Sequence, residues 1–142
     1  MQLQPYLFFD GRAEEALEFY KAALGAKVTM LMRVGEAPDT PPPGAMRPGT
    51  ENKILHATLQ IGDAVFMASD GHCGGAPRFE GFCLSLTVPD AAAADRAFGA
   101  LADGGQVRMP LGTTFFSPRF GMVADKFGVG WMVIVPPEGA PA

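Results

Sequence analysis

The chain has 142 residues, 48 % of them hydrophobic and 18 % charged, which is enough apolar material for a core and too much for a disordered chain. Its formal net charge of -4 comes without any basic cluster, so nucleic acid is excluded as an expected partner, and no apolar run approaches the ~20 residues that span a bilayer. The two cysteines, Cys73 and Cys83, make no CxxC pair or disulfide framework, and MQLQPYLFFDG carries no basic n-region or cleavage site, so a reducing, cytoplasmic setting is expected.

Residues 3–9, LQPYLFF, are short, aromatic and bounded by DG, as a strand would be. GRAEEALEFYKAALGA follows with Ala13, Ala16, Leu17, Tyr20 and Leu24 at helical spacing and Glu14, Glu15, Glu18 and Lys21 on the other side. Acidic early turns and Gly25 at the end suit helix polarity and C-capping. AKVTMLMRV reads as a second strand. The segment 35–52 is dense in Pro and Gly and must be a loop, either a lid or partner-contacting arm or a plain surface excursion.

ILHATLQIGDAVFMASD, residues 54–70, contains Gly62-Asp63 between two apolar runs, the signal of a two-residue hairpin. Strand alternation places Leu55, Ala57, Leu59, Ile61, Ala64, Phe66 and Ala68 on one apolar face. Ile54, His56, Thr58, Gln60, Val65, Met67 and Ser69 fall on the other. Counting out from the turn sets Thr58 opposite Met67 and His56 opposite Ser69. This second face, mixed in character, reads as a pocket wall.

After the Gly-rich stretch DGHCGGAPRFEG the pattern restarts. FCLSLTV is a strand, PDAAAADRAFGALADGG a helix opened by Asp90 and closed by Gly104-Gly105, and QVRMPL, FGMVAD and WMVIVP three more strands. The order strand, helix, strand, strand, strand therefore occurs twice, an internal duplication. The expected organisation is a first module over 1–70, a linker over 71–80, a second module over 81–136 and a tail over 137–142, together one globular unit.

PYLFFDGRAEEALEFYKAALGA, KILHATLQIGDAVFMASD, MPLGTTFF and FGMVADKFGVGWMVIV, four blocks in order over nearly the whole chain, closely resemble the PhnB-like branch of the vicinal oxygen chelate superfamily. That superfamily holds the glyoxalase, bleomycin-resistance and extradiol dioxygenase proteins. The resemblance implies an α+β fold: two tandem βαβββ modules forming curved mixed sheets around a cavity, with the helices on the outer face. It also implies a homodimer. The branch is sometimes described as a demethylubiquinone methyltransferase, but no Gly-rich strand–turn–helix of the kind a nucleotide-like cofactor needs is present.

Metal-using members of the superfamily place ligands in the first and fourth strands of each module. Matched by position, these are Gln4, Met67, Cys83 and Met132 here. An amide, a thiol and two thioethers are a poor set for a hard or borderline divalent ion, which wants carboxylate and imidazole. No metal and no cofactor are expected.

His56 is left as the candidate acid or base; the plainer reading is a wall histidine satisfied by a hydroxyl or backbone group, and a ligand contact fits either. The remaining pocket candidates are Tyr6, Phe8, Thr58, Ser69, Thr114 and Phe116, with Phe115 turned the opposite way if that segment is extended. Arg33 and Arg119 are candidate anion partners. His72 and Cys73 match no zinc spacing and read as ordinary loop. Trp131 should pack beneath a helix, opposite in parity to Met132. The first expectation is thus a metal-independent small-molecule binding protein, similar to the antibiotic-sequestering members. The alternatives are an enzyme using His56 on a small polar substrate and a structural dimer with a filled cavity.

Overall fold

The computed structural model describes residues 1–37, 49–71 and 77–138. The chain divides into two compact units, Met1–Pro77 and Arg78–Ala142. The loop residues 38–48 and the pair His72 and Cys73 lie outside the described residues.

In the first unit, strand β1 (Tyr6–Phe8) leads into helix α1 (Ala13–Leu24), then β2 (Lys27–Arg33), a 3-10 turn (Val34–Glu36), β3 (Ile54–Ile61) and β4 (Ala64–Ser69). The sheet order is β1-β4-β3-β2, with β1 parallel to β4 and the other pairs antiparallel. Helix α1 forms where its apolar spacing predicts it, burying Ala13, Ala16, Leu17 and Tyr20. It stops at Gly25, whose φ of 67° lets its N–H return to the Lys21 carbonyl. The helix packs on the apolar face of the sheet, where Leu7, Phe9, Ala57, Leu59, Phe66 and Ala68 are buried. Burying each large side chain among these contributes about 1.5–3 kcal/mol. Tyr20 meets Phe66 edge to face at 6.0 Å between ring centroids.

The β3–β4 hairpin turns at Gly62-Asp63 as its sequence requires. Gly62 has φ 57° and Asp63 does not share it, the II′ arrangement. Thr58 is the cross-strand partner of Met67. Ile54 departs from strict alternation: it is 1 % exposed, not on the open face. The β2–β3 register shifts between Met32 and Arg33, so parity counted from the turn does not carry to the first residue of β3.

The second unit repeats the plan with β5 (Leu84–Thr87), α2 (Ala91–Ala102), β6 (Gln106–Gly112), β7 (Phe120–Ala124) and β8 (Gly130–Ile134) in sheet order β5-β8-β7-β6. Asp90 caps α2 by accepting from the Ala93 N–H. Trp131 is buried, and its indole Nε1–H donates to Asp125 Oδ2 at 2.9 Å. Asp125 Oδ1 takes the N–H groups of Phe127 and Val129. The turn into the last strand is thus built around a buried carboxylate.

The duplication holds to the level of single residues. Across the first sheet Tyr6, Met67, Thr58 and Met30 lie in one row; across the second the corresponding row is Ser85, Met132, Met122 and Met109. A register shift sits at the same place in both, around Thr29 in β2 and around Arg108 in β6. Both are α+β sheets of four mixed strands with one helix each.

Candidate functional site

The open face of the first sheet brings together Tyr6, His56, Thr58 and Met67, four of the candidates in that unit. Tyr6 projects from β1, Met67 from β4, His56 and Thr58 from β3, since directly paired strand residues share a face. Tyr6 Oη lies 2.9 Å from His56 Nδ1, and Thr58 Oγ1 lies 3.3 Å from His56 Nε2. The phenol ring is 5.5 Å from the imidazole and 4.9 Å from Phe8. Phe8 is 56 % exposed, while Tyr6, His56, Thr58 and Met67 are half-buried.

This three-membered chain has a chemical consequence. Neutral imidazole donates from one nitrogen and accepts at the other. If Tyr6 donates to Nδ1, then Nε2–H donates to Thr58 and the threonine hydroxyl proton is left over. With the opposite tautomer the Tyr6 proton is left over. In either state a single hydroxyl donor remains at one end of the chain, beside the rings of Tyr6 and Phe8 and the thioether of Met67.

The partner of His56 is therefore Tyr6, not Ser69. Ser69 is buried and its Oγ accepts the Gly71 N–H, a local serine turn. Thr114, in the β6–β7 loop of the second unit, is likewise engaged: its Oγ1 accepts from the N–H groups of Phe116 and Ser117. Phe116 stacks edge to face on Phe120 at 4.9 Å and on Phe115 at 5.1 Å, with Phe115 fully exposed. The two arginines proposed for anions are committed elsewhere. Arg33 is paired with Glu14 and with the Asn52 carbonyl, and its pKa is raised, chiefly by the hydrogen bond to Glu14. Arg119 is paired with Asp95. The Tyr6–His56 contact has no local signal in the sequence: it depends on the parallel pairing of β1 on β4, which brings Tyr6 within ring reach of β3.

Of the four positions matched to the superfamily's ligand sites, Gln4 lies just ahead of β1, Cys83 just ahead of β5, Met67 in β4 and Met132 in β8. Each unit thus supplies one thioether with either an amide or a thiol. Neither offers a carboxylate or imidazole at these positions, so the donor set does not fit a divalent ion. Among the described residues no three His, Cys, Asp or Glu side chains gather into a cluster that could hold an ion.

The sequence matches the family model described as 3-demethylubiquinone-9 3-methyltransferase over residues 1–134. Protein YjdN of Escherichia coli is 35 % identical over 95 % of both chains. Among solved structures, protein PA1353 from Pseudomonas aeruginosa is 39 % identical with a TM-score of 0.83, covering 96 % of this chain and 98 % of its own. A PhnB protein from Bacillus cereus, described as a putative 3-demethylubiquinone-9 3-methyltransferase, is 28 % identical with a TM-score of 0.78, covering 95 % and 99 %. A glyoxylase/bleomycin resistance protein/dioxygenase domain from Frankia shares the fold alone, at 19 % identity and a TM-score of 0.60 over 89 % and 85 %.

Proposed function

The chain belongs to the PhnB-like family, described as 3-demethylubiquinone-9 3-methyltransferase, and from that premise we propose that it is a small-molecule binding protein that works without a divalent metal. The observation that carries this reading is the Tyr6–His56–Thr58 chain on an open aromatic and thioether face. Such a face supplies apolar area together with one orienting hydrogen-bond donor, the usual composition of a ligand site. Methyl transfer is not part of the proposal, because the sequence has no Gly-rich strand–turn–helix of the kind a nucleotide-like cofactor needs.

A thermal-shift screen of a small-molecule library tests it on the wild type, Tyr6→Phe and His56→Ala. Compounds that stabilise the wild type are expected to bind His56→Ala about fivefold to tenfold more weakly, the loss of one or two net hydrogen bonds. Hits that bind the variants unchanged, or a wild type that no compound stabilises, would count against the proposal.

The direct Tyr6–His56 hydrogen bond favours a second reading, an enzyme in which Tyr6 and His56 exchange a proton with a small polar substrate. That reading predicts that Tyr6→Phe keeps ligand affinity within a fewfold and loses turnover, because the phenol would be the group that delivers the proton. A homodimer is part of the main proposal. Light scattering is expected to give twice the 15.0 kDa chain mass, and a single-chain mass contradicts it.

A further inference from the structure

The second sheet carries a cation without an acid. Of the described arginines, Arg12, Arg33, Arg78 and Arg119 are each paired with a carboxylate, whereas Arg96 on helix α2 and Arg108 are not. Arg108, at the register shift of β6, has no ion pair or hydrogen bond to any described residue. Its side chain is nevertheless placed. A Cβ added to Gly130 would lie 3.3 Å from the Arg108 guanidinium and 3.4 Å from Cys83 Cβ. Since the strand order is β5-β8-β7-β6, the arginine reaches across β7 from the edge and rests its charged tip over the glycine at the start of β8. The first sheet has Val65 and Thr29 at the matching places, so the arrangement belongs to the second unit alone.

Alternation puts Gly130 on the same face as Met132, and cross-strand pairing adds Ser85, Met122 and Met109. Met109 is 44 % exposed, and Met122 and Met132 are half-buried. The paired positions of this face, from Cys83 to Thr87 and along β7 and β8, include no carboxylate. A guanidinium beside a row of polarisable, adaptable thioethers is complementary to an anionic head on an apolar body. We propose that the open face of the second sheet binds an organic anion, with Arg108 as the charged anchor, the methionine row as the apolar bed, and Gly130 as the slot that seats the guanidinium. The inference stands on the second unit alone and does not rest on the reading of Tyr6 and His56.

The probe is 8-anilinonaphthalene-1-sulfonate, followed by fluorescence titration, with the neutral N-phenyl-1-naphthylamine as its uncharged counterpart and inorganic phosphate as competitor. Arg108→Met is expected to weaken the sulfonate dye about tenfold, the scale of one charge-assisted contact, while the neutral dye binds as before. Gly130→Val, which fills the slot with the residue the first sheet already has, should weaken the sulfonate dye in the same direction without removing the charge. Thermal melting of each variant confirms that it is folded. On the wild type, added salt should weaken the sulfonate dye and leave the neutral one unweakened. Competition by phosphate alone would identify the charge as the main recognised feature; no competition would assign recognition to charge and apolar body together, and both support the anchor. Unchanged sulfonate binding in Arg108→Met or in Gly130→Val overturns the proposal, as does an equal loss of both dyes.

Discussion

Asp70→Ala is expected to cost about 4 kcal/mol of folding free energy, because it strands several buried backbone donors at once. Asp70 is 2 % exposed and follows the last residue of β4. Its Oδ1 accepts the N–H groups of Gly11 and Ala13, at 3.0 and 2.8 Å, and its Oδ2 that of Ile54 at 2.7 Å. One carboxylate therefore satisfies two donors at the start of α1, which Arg12 leaves without a side-chain cap. It also fixes the first residue of β3, two places before His56. Alanine removes all three acceptor contacts in a place water does not easily fill. Asp70→Asn retains one acceptor oxygen but turns an amide N–H₂ toward a donor, so it should cost roughly half as much. Urea denaturation measures both. A loss under about 1 kcal/mol for Asp70→Ala would mean that solvent satisfies these donors.

Gly105→Ala should be nearly as damaging, through space alone, at about 3 kcal/mol. An added Cβ would collide with the Ala124 carbonyl oxygen and lie 2.9 Å from the Asp125 carbonyl carbon and 3.0 Å from its Cα. All three are backbone atoms at the end of β7, so no side chain can swing aside, and the α2–β6 connection must lift off the strand. Gly99→Ala makes the same chemical change in α2, where nothing lies within 4 Å. There the gain in helix propensity should stabilise by about 0.8 kcal/mol. Opposite signs at the two glycines, read from paired denaturation curves, are the expected result. A neutral Gly105→Ala would show that the two backbones are not held together at this point.

These two positions also mark what the sequence made legible. The elements were readable because their signals are local: helical spacing in AEEALEFYKAAL, Gly62-Asp63 between apolar runs, and Asp90 ahead of an alanine-rich helix. The duplicated order was readable because both modules repeat those local signals. Strand alternation correctly set Thr58 against Met67 and Trp131 away from Met132. It lost Ile54, because a register shift breaks the count, and it gave no measure of which polar groups would find each other across strands. His56 was placed beside Ser69 in parity. The serine instead closes its own turn, and Tyr6 reaches the imidazole from a strand that is distant in sequence. Arg33 and Arg119 looked available because their acids, Glu14 and Asp95, lie 19 and 24 residues away. Arg108 is inconspicuous in the sequence for the opposite reason: its neighbours on the sheet are methionines and glycine, and it belongs to no charge pattern.

The family resemblance by itself favours a metal centre; the residues at the ligand positions do not. Gln4, Met67, Cys83 and Met132 are soft or neutral donors, and His56, which shares the open face of the first sheet with Met67, is hydrogen-bonded at both nitrogens. The proposed function therefore relies on recognition by hydrogen bonds, rings and thioethers, without the metal step of the metal-using members of the superfamily. The most direct test is the metal content of protein purified without chelator, measured by plasma mass spectrometry on samples incubated with Zn²⁺, Mn²⁺ or Ni²⁺ and then desalted. The account predicts far less than one ion per chain, with no change in melting temperature on adding or removing the metal. A stoichiometric ion that survives desalting, raises the melting temperature and is lost in Cys83→Ala or Gln4→Ala would contradict it.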